Sequence, residues 1–371
     1  MNNNTDAVPE SYPMNGGDGT YSYTKNSYFQ KAATNVARSM IHNAVAEKLD
    51  LNELFSTSSK NTIFRIADLG CSVGPNTFSA MKNILEVVQH KYQQSQGHHF
   101  SSSQMLEFQV FFNDQVTNDF NTLFSSLPSE RPYFAAGVPG SFHGRLFPNS
   151  SLHFIHSSYA LQWLSKLPEE LLDKTSPAWN RGRAHYANSP DEVRQAYATQ
   201  FAKDMEKFLD ARAKELVVGG LMVLIMPSIP HGVPLSRLPL CVLFDILGSS
   251  LVDMANDGFV SEDQVDSFNI PVYAVSPDEM IKFIEGNGCF KIERMELKKP
   301  ISSIDNDQVT GHALTMHLRA SMEVIISKHF GSEIVDDLFD RFYKKTEELS
   351  DHLQPIYKEG GTQLFLVLKR K

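Results

Sequence analysis

Between residues 27 and 51 apolar side chains recur at helical spacing, with Val36, Met40, Ala44, Val45 and Leu49 on one side. The pattern predicts an amphipathic helix. A polar loop at 56–61 follows, and Ile63-Phe64-Arg65-Ile66-Ala67-Asp68-Leu69-Gly70 then reads as a short buried strand closing in a tight turn. A helix is expected from about Pro75, because proline suits a first turn. Further strands are predicted at 106–112, ending in Asn113-Asp114, at 152–156, and as a pair flanking Gly219-Gly220 within 216–226. Between the last two, residues 190–214 are rich in Ala, Glu, Lys and Gln and predict a helix.

Strands alternating with helices over the first 230 residues argue for an α/β fold, a mostly parallel sheet covered on both faces. Residues 289–297 and 363–369 read as two more strands, expected to join the sheet as an edge pair. The helical stretches Pro239–Asn256, Pro277–Asn287 and 312–349 are then expected elsewhere, as a lid over the ligand edge. No internal repeat interrupts this order.

Composition narrows the function. The chain has 371 residues, 42% of them hydrophobic, which suffices for a large core. A net charge of -9 makes nucleic acids and acidic membranes poor partners. Three cysteines without paired spacing, Cys71, Cys241 and Cys289, fit a reducing compartment. Residues 1–13 lack the basic and apolar regions of a secretory signal, and 216–226 is too short to span a bilayer. A cytoplasmic protein with no membrane contact is expected.

In doubly wound sheets, ligands sit beyond the strands' carboxyl ends. Asp68-Leu69-Gly70-Cys71-Ser72-Val73-Gly74-Pro75-Asn76 is such a strand-to-helix turn. Its glycines do not match G-x-G-x-x-G, and no phosphate-binding lysine follows. The implied ligand is a nucleoside without a phosphate chain, and Asp114 stands where a carboxylate accepts two ribose hydroxyls. S-adenosylmethionine meets this demand. The alternative is a plain tight turn, with Asp114 capping the next segment.

The ordered set of motifs resembles the SABATH family, plant methyltransferases acting on salicylic, benzoic, jasmonic, indole-acetic, gibberellic and loganic acids and on caffeine precursors. The pattern is close to the loganic and salicylic acid type. The resemblance rests on Met14-Asn15-Gly16-Gly17-Asp18-Gly19, Ser22-Tyr23-Thr24-Lys25-Asn26-Ser27, the turn above, Phe112-Asn113-Asp114, Pro139-Gly140-Ser141-Phe142, Ser157-Ser158-Tyr159-Ala160-Leu161-Gln162-Trp163-Leu164-Ser165 and Asp266-Ser267-Phe268-Asn269-Ile270-Pro271. It implies a class I methyltransferase fold, a Rossmann-like seven-stranded sheet under a helical cap, and a homodimer. The single unit 1–371 would divide into a core at about 56–176, 213–230, 287–300 and 361–371, and a cap and lid at about 20–55, 177–212, 231–286 and 301–360.

The same resemblance implies that Tyr23, Ser27, Asp68, Leu69, Gly70, Cys71, Asn76, Asp114, Gln115, Ser141, Phe142 and Ser158 surround the cofactor. Gln115 and Phe142 would flank the adenine, although Gln115 is commonly Leu in relatives. Gln30 and Trp163 are assigned to the acceptor carboxylate through neutral N–H donors, and Tyr159 and Gln162 to the pocket wall. A Gln at position 30 leans toward carboxyl rather than ring-nitrogen acceptors. Asn180, Asp266, Asn269 and the Phe268 carbonyl are the oxygen ligands that some members use for magnesium; a loop held by Asx hydrogen bonds accounts for them equally.

The expected reaction converts a small carboxylic acid into its methyl ester. An acid with a pKa near ~4 already carries its nucleophilic charge at neutral pH, so no general base is required. Positioning alone is worth roughly 7–11 kcal/mol. His153, His156, His312 and His317 match no metal motif and read as structural or surface residues. N-methylation of a heterocycle and a non-catalytic receptor are the competing readings. Val272 stands where the loganic acid enzyme carries Gln for its sugar, which weakens an iridoid glucoside. The apolar neighbours Met226, Ile229, Leu243 and Phe244 suggest aromatic, terpenoid or fatty acids.

Overall fold

The computed structural model describes residues 12–55, 63–96, 106–299 and 309–371. The polar loop expected at 56–61 and most of residues 1–13 lie outside them. The strands are β1 (Ile63–Leu69), β2 (Glu107–Asp114), β3 (Phe134–Pro139), β4 (Leu152–Ser158), β5 (Leu216–Pro227), β6 (Phe290–Lys298) and β7 (Gln363–Arg370). They form one sheet in the order β3-β2-β1-β4-β5-β7-β6, parallel from β3 to β5. β7 runs antiparallel between β5 and β6, so the two late strands complete the sheet at one edge, as the sequence indicates. The strand order reverses between β1 and β4, which opens a crevice at their carboxyl ends.

Preceding β1 are α1 (Tyr23–Asn26), α2 (Tyr28–Lys48) and α3 (Leu51–Phe55). Then come α4 (Asn76–Gln96), α5 (Phe120–Ser125), α6 (Asp191–Glu215), α7 (Pro239–Asn256), α8 (Glu262–Ser267), α9 (Pro277–Asn287), α10 (Gly311–Phe330), α11 (Val335–Glu348) and α12 (Ser350–Gly360). One face of the sheet packs on α2 and α4 through Met40, Val45, Met81 and Ile84. The other packs on α6 and α9 through Tyr197, Phe201, Phe208 and Ile284. A third core of Phe244, Leu247, Leu318, Ile326, Leu338 and Phe342 joins α7, α10 and α11 into a cap. Helix α7 is long and apolar enough to cross a membrane, but half of it is buried within this cap.

Three elements depart from the pattern reading. The segment 216–226 is one continuous strand rather than a pair. Its partner register jumps from Leu152–Leu216 to Phe154–Leu221, so the glycines form a bulge inside β5. Gly219 adopts φ +81°, and a Cβ at Gly220 would lie 2.9 Å from the Leu216 side chain and 3.0 Å from the His153 carbonyl. Strand β3 gives no apolar run because it is an edge strand, exposed or half-buried along its length. The stretch 312–349 breaks at Gly331, with φ +95°, into α10 and α11, and α12 continues past it with Pro355 inside.

Candidate active site

The turn after β1 is fixed from below. The amides of Gly70 and Cys71 both donate to the Asn113 carbonyl at 2.9 Å, which draws the ends of β1 and β2 together. Gly70 takes φ +82°, and a Cβ there would sit 2.2 Å from that of Ala160, so only glycine permits this approach to the segment after β4. Asp68 accepts from Thr77 Oγ1 and pairs with His156 Nδ1 at 2.7 Å.

Tyr23, Asp68, Gly70, Cys71, Asn76 and Ser158 line one cavity of about 390 Å³, shared with Gln30, Ser72, Thr77 and His156. Four buried polar atoms of its lining residues have no protein partner: Gln30 Oε1, Ser72 Oγ, Ser158 Oγ and His156 Nε2. Buried polar groups require partners, so this cavity suits a polar ligand. Asn76 Nδ2 donates to Ser27 Oγ at 2.9 Å and completes its rim. Leu69 is buried in the strand and offers only its backbone, its carbonyl accepting from Ser157 Oγ. Burial pushes the Cys71 thiol well up, so it stays protonated and inert.

Asp114, Gln115, Ser141 and Phe142 lie beside this cavity rather than on its wall. Asp114 accepts from the amides of Ser72 at 2.7 Å and Gln115 at 2.8 Å, one on each carboxylate oxygen. Each oxygen keeps a lone pair for another donor. Desolvation, only partly opposed by these two hydrogen bonds, pushes its pKa up to about 6. Asn113 Nδ2 donates to the carbonyls of Val138 and Gly140 and leads the chain to Ser141 and Phe142. The Gln115 side-chain oxygen accepts from the Tyr12 amide at 2.8 Å, so it ties down the amino-terminal segment. That segment also bonds Gly17 N to Asp119 Oδ2 and Asn15 N to the Ala320 carbonyl of the cap.

A second cavity opens between sheet and cap, and Gln30 and Tyr23 line both. Gln30, Tyr159, Gln162 and Trp163 all lie on its wall, with Leu243, Phe244, Val272, Met322 and Tyr357; among the described residues no Asp, Glu, Lys or Arg does. Met226 and Ile229 are not among its lining residues. Trp163 is placed by a backbone bridge to Val272. Gln162 donates its amide to the Tyr159 carbonyl at 2.8 Å, which leaves its buried Oε1 as an unpartnered acceptor. Gln30 Oε1 is likewise unpartnered.

The histidines divide. His156 and His317 line the two cavities, which corrects their reading as structural or surface residues. His317 Nδ1 donates to the Asn26 carbonyl at 3.1 Å, and burial drives its pKa down to about 4, so Nε2 is an acceptor at neutral pH. A lone histidine on a cap helix carries no sequence signal for which way it faces. His153 stacks on Phe64 in the core.

Asn180, Asp266, Phe268 and Asn269 converge at one place, and none lines either cavity. Asn269 Oδ1 accepts from Asn180 Nδ2 at 2.8 Å, Asn180 Oδ1 from Ser189 Oγ at 2.6 Å and Asp266 Oδ1 from the Gly182 amide at 2.8 Å. One carboxylate among neutral oxygens suits a hard cation, but these protein donors already meet the oxygens.

A family model described as SAM dependent carboxyl methyltransferase matches residues 9–371. The chain is 47% identical over 366 residues to loganic acid O-methyltransferase of Catharanthus roseus, covering 98% of this chain and 95% of that one. It is 38% identical over 361 residues to farnesoic acid carboxyl-O-methyltransferase of Arabidopsis thaliana, covering 97% and 99%, and 39% identical over 350 residues to caffeine synthase 1 of Camellia taliensis, covering 91% of each. A solved structure of loganic acid methyltransferase with SAH superposes with a TM-score of 0.89 at 46% identity, covering 97% of this chain and 99% of that one.

Proposed function

The chain belongs to the SAM-dependent carboxyl methyltransferase (SABATH) family, and from that premise we propose how its two cavities methylate an acid. It is an S-adenosylmethionine-dependent methyltransferase that esterifies a small-molecule carboxylic acid. The carrying observation is an acceptor cavity lined, among the described residues, by no charged side chain and joined at Gln30 and Tyr23 to a polar cofactor cavity. When bound, the cofactor's sulfonium supplies the methyl group and a good leaving group. Gln30 Nε2 and the Trp163 indole N–H orient the acceptor carboxylate as neutral donors, which do not quench its charge as an arginine pair would. Asp114 takes the ribose hydroxyls, Phe142 flanks the adenine with Gln115, Ser141 fixes the adenine's amino edge, and Ser27 and Asn76 close the amino-acid end. The buried unpartnered hydroxyls of Ser72 and Ser158 support this reading.

The acceptor is a mainly apolar acid that carries a hydrogen-bond donor for Gln162 Oε1 or His317 Nε2. Val272 offers no polar group to a sugar. Labelled S-adenosylmethionine with a panel of free aromatic, terpenoid and fatty acids tests this; a methyl ester is the expected product. Label on a heterocycle nitrogen alone, or no transfer from any acid, would overturn it.

Asn180, Asp266, Asn269 and the Phe268 carbonyl would hold magnesium in a structural role, exchanging the Ser189 and Gly182 hydrogen bonds for metal contacts. Millimolar magnesium should then raise Tm while leaving kcat unchanged, and an unmoved Tm argues for the Asx-bonded loop alone. A homodimer is proposed on family likeness, and a cytoplasmic location on three cysteines without paired spacing; light scattering at two concentrations checks the dimer.

A further inference from the structure

The loop between β3 and β4 carries Ser141 and Phe142 but has no regular secondary structure of its own. The last turn of α6 holds it. Arg212 and Glu215 both have fully buried side chains and pair at 2.7 Å. Arg212 Nη1 donates to the Phe142 carbonyl at 2.7 Å and Nη2 to the Gly144 carbonyl at 2.9 Å. Glu215 Oε1 accepts from the amides of Leu146 at 2.6 Å and Phe147 at 3.0 Å. One ion pair thus satisfies four backbone groups within six consecutive residues.

A buried ion pair is a poor source of stability, since desolvation offsets its attraction and an apolar pair of equal volume often serves as well. What an apolar pair cannot do is fix two carbonyls and two amides of an irregular loop. The planar guanidinium can reach two carbonyls and a carboxylate at once, which a lysine cannot. Two turns earlier α6 anchors the acceptor side also. Asp204 accepts from Ser165 N at 2.9 Å and Ser165 Oγ at 2.6 Å, two residues beyond Trp163.

We propose that Arg212 and Glu215 are positioning residues for the cofactor: they hold the Phe142–Phe147 backbone so that Ser141 and Phe142 meet the adenine. This rests on the reading that Ser141 and Phe142 contact the adenine, and the test separates the two. Steady-state kinetics, varying S-adenosylmethionine and acid in turn, are compared for wild type, Phe142→Ala, Arg212→Lys and the double variant Arg212→Met/Glu215→Leu. The double variant removes both charges together and should keep its fold by circular dichroism. Its cofactor KM should rise on the order of 10–100-fold, with acid KM unchanged and kcat within about threefold. Arg212→Lys, which keeps the charge but not the fork, should raise cofactor KM by a smaller factor. A purely structural role instead lowers Tm or the active fraction and leaves both KM values unchanged, which overturns the proposal. Should the double variant not fold, an unchanged cofactor KM in Arg212→Lys overturns it equally. A wild-type cofactor KM in Phe142→Ala removes the adenine reading itself. A raised value there, with no change in the clamp variants, removes only the clamp.

Discussion

To take the ribose hydroxyls as proposed, Asp114 has to be a carboxylate in a place that favours the carboxylic acid. Burial pushes its pKa up to about 6, whereas the ribose hydroxyls are donors that need it ionised. Cofactor affinity should therefore be full above about pH 6 and fall as pH drops below it. Asp114→Asn should weaken binding of the product S-adenosylhomocysteine by on the order of 10–100-fold and abolish that acid limb. Calorimetry between pH 5 and 8 decides this, and a pH-independent wild-type Kd would take Asp114 out of the site. For the acceptor, Gln30→Leu and Trp163→Phe should each lower kcat/KM by on the order of 10–100-fold with cofactor affinity kept. The double variant should lose less than the sum if both donors hold one carboxylate. Wild-type kinetics in both singles would mean that the carboxylate is held elsewhere. The place of Asp114 at the end of β2 is legible in sequence because the apolar run of the strand stops there. The facing of His317 and His156 is not, because tertiary packing alone sets it.

Elements with strong periodicity are readable, and those whose shape depends on a neighbour are not. Helices α2, α6, α7 and α9 span the residues their patterns predict, with Ser276 and Glu279 forming a capping box at the start of α9, but α9 packs on a face of the sheet through Met280 and Ile284 rather than in the lid expected of it. Strand β3 is hidden because pairing with β2 alone asks for no apolar run. The two glycines of β5 read as a break because a bulge and a turn place the same demand on φ. That bulge lets β5 run on from Leu216 beside β4, so it bears on stability rather than on chemistry. Gly220→Ala should cost about 1–3 kcal/mol through the Leu216 and His153 contacts, with KM values unchanged. Urea unfolding measures this, and a change within ±0.5 kcal/mol would show that the bulge relaxes freely.

At the scale of the whole molecule, sheet and cap enclose an apolar acceptor space against a polar cofactor space, and no group on the path has to take a proton from the acid. With both substrates saturating, kcat should then stay flat from about pH 6.5 to 9. Stability should be the quantity that fails in acid, and its sign follows from the buried groups. Burial lowers the pKa of His153, His185 and His317 to about 4, and that of His143 is lowered as well. Below about pH 6.5 the unfolded chain takes protons there that the folded chain refuses, so acidification favours unfolding. Asp114 and Asp245, pushed up to about 6, act oppositely, because the folded chain protonates them before the unfolded one does. Three histidines at about 4 against two carboxylates at about 6 leave about one net proton, on the order of 1 kcal/mol per pH unit between about 6 and 4, and His143 adds in the same direction. The urea midpoint should accordingly fall from pH 7 to pH 5 while kcat at pH 6.5 matches that at pH 8. The opposite pair of results, a level midpoint and a steep activity limb near neutrality, would mean that a titrating side chain takes part in methyl transfer.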